Sequence, residues 1–102
     1  MNKLDYKKLD LSENIYRKDF FIAHSASGSM WIDVETETIE EIKAEIDAYL
    51  ERHPRIANYT YDHKTPAFEI WHVTKIKTYD NGGRCVKKSE NDYFVELYPI
   101  IG

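Results

Sequence analysis

The sequence predicts an α+β domain: an antiparallel sheet of about five strands in ββαβββ order, with one amphipathic helix packed on one face. Three observations carry this. A single capped apolar stripe marks one helix. Short runs rich in β-branched and aromatic residues flank it on both sides. The links between those runs read as turns rather than helices, which argues against βαβ units and a parallel sheet. The chain has 102 residues, 42% hydrophobic and 14% aromatic. That is one small domain with enough apolar material for one core.

Residues 1–18 alternate charges with single apolar residues, and Leu4, Leu9, Leu11 and Ile15 fit neither a period of 2 nor one of 3.6. They read as an extended N-terminal arm that pins a few apolar side chains onto the domain of residues 19–102. A partner-binding arm that orders on contact is the alternative. Residues 19–26, DFFIAHSA, suit a half-buried strand, and Ser27-Gly28 marks a turn. Residues 29–35 return as a second strand, with Met30, Ile32 and Val34 on one face and Trp31, Asp33 and Glu35 on the other.

The helix occupies residues 36–53. Thr38 and Glu41 form a capping box, and Ile39, Ile42, Ile46, Tyr49, Leu50 and His53 fall on one helical stripe. Glu40 and Glu41 sit at the positive end of the helix dipole, and Arg52 at the negative end. Pro54 stops the helix, and a proline-bounded connection follows, with Tyr59 and Tyr61 placed to pack on a sheet edge.

Residues 67–79 are a long strand whose alternation is imperfect. Phe68, Ile70 and Ile76 share one phase, and Trp71, Val73 and Tyr79 the other. Either both faces are partly covered or a bulge shifts the phase. Asp80-Asn81-Gly82-Gly83 predicts a type I′ hairpin turn. Two short strands complete the domain, residues 84–89 and 93–98, separated by a turn at Ser89–Asp92 and ended by Pro99.

No motif for catalysis stands out. His24, His53, His63 and His72 lack metal-ligand spacing, and no cysteine pair accompanies them, so they read as ordinary surface or half-buried histidines. Cys85 reads as a small packed thiol. The hairpin sets it opposite Thr78, Tyr79 or Asp80, roughly 20 Å along the strand from His72, although His24 could still approach it through the fold. Ser25, Ser27 and Ser29 around Gly28 lack the spacing of a nucleophile elbow, and neither glycine site forms a phosphate loop. Asp33, Glu35 and Glu37 alternate along a strand end and could line up for a divalent cation, but carboxylates there are usually only solvated. No enzyme, metal or cofactor is expected.

The charge pattern is more specific. The formal net charge is −4, but residues 33–51 alone hold eight acids and one base. The bases Lys75, Lys77, Arg84, Lys87 and Lys88 cluster in residues 72–88. A dipolar molecule follows, with an acidic helix flank and a basic hairpin. One helix cannot cover both faces of such a sheet, so an aromatic face stays open.

The expected function is a small non-enzymatic interaction module, binding a protein partner or a second copy of itself. The candidate partner-binding residues are Trp31, Trp71 and Tyr79 on the sheet and Glu40, Glu41 and Glu45 on the helix. The alternatives are a nucleic-acid-associated protein using Lys75, Lys77, Arg84, Lys87 and Lys88, and a ligand binder or small enzyme with a pocket between helix and sheet. With no secretory signal, no run of about 18 apolar residues and one cysteine, a cytoplasmic protein off the membrane is expected. Lys outnumbers Arg ten to four, a bias common in A/T-rich coding DNA and associated with bacteria, their phages and mobile elements.

Overall fold

The computed structural model describes residues 4–9, 14–26, 30–54 and 67–99. The connection after the helix, with Tyr59, Tyr61 and His63, lies outside the described residues, as do the Ser27–Gly28 turn and Leu11. The strands are β1 (Lys7–Lys8), β2 (Ile15–Ser25), β3 (Trp31–Thr36), β4 (Ala67–Tyr79) and β5 (Cys85–Pro99), and the helix is α1 (Ile39–Arg52). All pairings are antiparallel, in the order β1-β2-β4-β5, and β3 shares the outer edge of β2 with β1. The α+β class and the one-helix sheet are as the sequence predicts.

Two strands differ from expectation. First, β2 starts at Ile15, so Ile15–Lys18 belong to the sheet, paired with Thr78–Lys75, while Lys7 and Lys8 pair with Arg17 and Tyr16. The long β4 offers a row of backbone donors and acceptors along its whole length, and pairing them outweighs the poor periodicity of the segment. Second, β5 runs unbroken through Ser89–Asp92, where the sequence predicts a turn. Ser89, Glu90, Asn91 and Asp92 pair with Ile76, Lys75, Thr74 and Val73. The polar run has turn propensity, but the ladder it completes with β4 is worth more. The five strands are thus reached by a short strand in the arm and one long strand at the end.

The hairpin loop also differs in type. Positive φ falls at Gly83 (83°), and Gly83 N–H donates to the Asp80 carbonyl. This is a three-residue loop closed by a left-handed glycine, not the two-residue type I′ turn. The Asp80 carboxylate accepts from the Gly82 and Arg84 N–H groups, both at 2.9 Å, which holds the longer loop in place.

The helix, Ile39–Arg52 within the expected 36–53, matches its predicted cap and its stripe from Ile39 to Leu50, whereas His53 is the exposed C-cap. Thr38 Oγ1 accepts from Glu41 N–H and donates to the Glu41 carboxylate. Ile42 and Ile46 are fully buried against Ala23, Ile32, Phe68 and Ile70, with Phe21, Met30, Val34, Ile39, Tyr49, Leu50 and Tyr98 packed around them. Tyr98 O–H donates to Asp47, and Lys43 meets Glu96 at 3.3 Å, which ties the helix to the end of β5.

The 14 residues of α1 span about 21 Å, whereas the 13 residues of β4 extend over about 43 Å. The core therefore sits at the β3 end of the sheet. Farther along the same face, Thr74 O–H donates to Asp19 (2.7 Å) and the Arg17 guanidinium grips the same carboxylate (2.8 and 3.2 Å).

That grip, chiefly the hydrogen bond from Arg17, holds the Asp19 carboxyl below the ordinary aspartate range. A depressed folded-state pKa contributes stability that is present above the unfolded value and lost as pH falls through the folded one. The Asp19→Asn variant is therefore expected to be less stable than the parent at neutral pH. The gap should close on acidification from the ordinary aspartate range through the depressed one, read from urea midpoints across pH. The effect is small, because both side chains are well exposed.

Candidate binding face

The face of the sheet opposite α1 is set by register. His24 lies across from Trp31 on β3 and Glu69 on β4, and Trp71 lies across from Ile22 on β2 and Phe94 on β5. Directly opposed residues share a face, so Trp31, His24, Trp71 and Phe94 form one aromatic row over four strands. Ring centroids are 4.5 Å apart for His24–Trp31, 6.3 Å for the stacked His24–Trp71, and 5.7 Å for the edge-on Trp71–Phe94. Trp31, Phe94 and Leu97 remain 57%, 51% and 52% exposed.

Polar contacts fix the two central rings of the row. His24 Nδ1 stands 2.9 Å from the Ser25 carbonyl, which can only accept, so Nδ1 carries a proton in that bond. Trp71 Nε1–H donates to Glu69 Oε1 at 3.1 Å, and the same oxygen lies 3.7 Å from His24 Nε2. Glu69 thus orients both rings from between them. Rings held by hydrogen bonds lose little side-chain freedom when covered, which suits them to act as binding anchors.

The imperfect alternation of β4 now has a physical account. The β2–β4 register is unbroken, whereas between Ile70–Glu96 and Trp71–Phe94 the extra residue is Val95 on β5. Both faces of β4 are covered in part: Phe68 and Ile70 by the helix, and Val73 against Phe20 on the far side, each of the last two 3% exposed. The bulge is also why Phe94 and Leu97 come to one face, although alternation puts Tyr93, Val95 and Leu97 together. Sequence reasoning missed Phe94 and Leu97 for that reason. His24 was missed because no spacing rule marks a histidine that stacks between two indoles.

The other half of this face is basic. Lys75 Nζ and Lys18 Nζ lie over the Phe20 ring, and Lys77 Nζ and Lys18 Nζ over Tyr6, at 4.3–5.7 Å from the centroids. Lys88 is directly across from Lys77. Lys18 pairs with Glu35 at 3.2 Å and Lys75 with Glu90 at 3.5 Å. Glu35 is thus drawn into an ion pair rather than merely solvated.

Of the candidate partner-binding residues, Trp31 and Trp71 come together through His24. Tyr79 lies at the far end of β4, edge-on to Tyr16 at 5.4 Å. Glu40, Glu41 and Glu45 lie on α1, across the sheet from the aromatic row, and Glu41 serves the helix cap. Of the candidate anion contacts, Lys75, Lys77 and Lys88 share the far face. Lys87 opposes Thr78 on the helix side, and Arg84 stands at the hairpin loop.

Cys85 opposes Tyr79, one of the three positions expected. His24 pairs with Glu69, ten positions along β4 from Tyr79 and so roughly 33 Å away, which closes the one approach to Cys85 that the sequence left open. Among the described residues, no three His, Cys, Asp or Glu side chains are grouped to hold a metal. No helix among them is long and apolar enough to cross a membrane. No protein-family model, curated protein or solved structure matches the chain.

Proposed function

We infer that the chain is a non-enzymatic interaction module that binds a protein partner through the sheet face opposite α1. The observation that carries this reading is the row Trp31–His24–Trp71–Phe94, with Trp31, Phe94 and neighbouring Leu97 each more than half exposed. Large aromatic side chains, packed against hydrogen-bonded rings and left open to solvent, are typical anchors of protein interfaces. Among the described residues this face sets no nucleophile beside a base, so it supports recognition better than chemistry.

A second reading has its own observation. Lys75, Lys77 and Lys88 stand on the same face as the aromatics, an arrangement that would also suit a single nucleic-acid strand, with stacking at one end and phosphate contact at the other. It ranks below the first because Glu90 already engages Lys75, and the chain as a whole carries −4.

The two readings separate by mutation. With the chain as bait, Trp71→Ala with Phe94→Ala is expected to weaken a captured protein partner roughly 30-fold, while Lys75→Glu with Lys77→Glu leaves it nearly unchanged. The reverse pattern, with a gel shift of single-stranded DNA or RNA at about 50 mM salt, would favour the second reading and overturn the first.

A further inference from the structure

We propose that the chain pairs with a second copy of itself along β5, antiparallel, in the register centred on Ser89. This does not rest on the aromatic face as a binding site. Among the described residues β5 is the outer strand at its end of the sheet, and Val86–Val95 are all exposed. Such a strand presents a row of unpaired backbone groups that another strand can complete.

What commits the edge to a copy of itself is its charge order. Lys87 and Lys88 precede Ser89, and Glu90 and Asp92 follow it. When two antiparallel copies extend one sheet, opposed residues must share a face, so the register can shift only by whole residues at the symmetry centre. Centred on Lys88, Glu90 or Asp92, a charged residue meets its own copy. Centred on Asn91, Glu90 meets Asp92. Only the register centred on Ser89 sets Lys88 against Glu90 of the other copy, twice by symmetry, with Ser89 against Ser89 between them. Lys87 then meets Asn91. This stretch lies clear of both irregularities of β5, which fall opposite Thr78/Tyr79 and Ile70/Trp71.

Lys88 supplies the second argument. Within the chain it is directly opposite Lys77, an unfavourable cross-strand like pair. Among the described residues no carboxylate lies within ion-pair distance of it. Glu90 of a second copy would fill that place. A two-fold axis perpendicular to the sheet would leave both helices on one side and both aromatic rows on the other.

Sedimentation velocity on the full chain, over a range of concentrations, tests this. A concentration-dependent dimer is expected. Lys88→Glu and Glu90→Lys should each weaken it roughly tenfold or more. The two swaps combined in one chain should restore it, because each position then again faces a charge of opposite sign on the other copy. Lys75→Gln, which removes only the intrachain partner of Glu90, should leave the dimer intact. Circular dichroism confirms that each variant is folded. A monomer at every concentration, a dimer indifferent to both single swaps, or a double swap that fails to rescue would each overturn the proposal. So would a dimer lost on Trp71→Ala but kept in both swaps, since that would place the contact on the sheet face.

Discussion

Replacing Phe68 with alanine is expected to cost about 3–5 kcal/mol, a large share of the roughly 5–15 kcal/mol that a domain of this size commonly has in hand. Among the described residues Phe68 is the largest of the fully buried side chains, and it joins the helix to the sheet. Its ring packs in the cluster of Ala23, Ile32, Ile42, Ile46 and Ile70, with Tyr49 edge-on at 5.9 Å. Its neighbour across β2 is Ser25, itself buried, and across β5 is Tyr98. The β-branched neighbours Ile32, Ile42, Ile46 and Ile70 have few rotamers with which to fill the space, so the cavity term adds to the lost transfer free energy.

The loss should appear in urea midpoints and in far-UV circular dichroism, with helix and sheet signals failing together. Ile70→Val, which removes one methylene from the same cluster, serves as the scale and should cost about 1 kcal/mol. A Phe68→Ala loss no larger than that would mean the helix does not depend on this contact, and the packing described above would be wrong.

What could be read in the sequence, and what could not, divides along the range of the interactions. The helix was legible because its determinants are local: the Thr38–Glu41 box and the stripe through Ile42 and Ile46 need no partner to be seen. The inward face of β3 was equally plain from alternation. The ends of the sheet were not. Ile15–Lys18 read as an arm because their own pattern is weak, and only the reach of β4 recruits them. Ser89–Asp92 read as a turn for the converse reason: local propensity pointed one way and thirteen residues of β4 the other.

The binding face shows the same division. Trp31 and Trp71 were identified by type and phase. Their joining through His24, and the arrival of Phe94, depend on cross-strand register and on a bulge at Val95 that leaves no mark in the sequence. The acidic run at residues 33–51 also resolves into separate parts. Glu41 caps the helix, Asp47 receives the Tyr98 hydroxyl, and Glu35 turns toward Lys18.

That last contact carries the second large effect. Glu35→Ala is expected to cost about 2 kcal/mol, below the range for a fully buried pair and well above that of a surface one. Lys18 and Glu35 are only 11% and 12% exposed, and Glu35 Oε1 accepts both Lys18 Nζ and the Leu4 N–H, each at 3.2 Å. Removing the carboxylate leaves a mostly buried ammonium and an unpaired backbone donor, and the cost of each is desolvation without a partner. The damage should be directional. Leu4 and Tyr6 would lose the anchor that holds residues 4–9 over the Lys18 and Lys77 side chains, so hydrogen exchange should quicken there and along Tyr16–Phe20 while the Ile42–Phe68 core stays protected. Changing both partners, Lys18→Met with Glu35→Leu, should recover much of the loss, because an apolar pair of similar volume has no charge left to desolvate. If Glu35→Ala costs no more than Asp19→Asn, whose ion pair with Arg17 is open to water, then the Lys18–Glu35 pair is wet in solution and the N-terminal segment is held by other contacts.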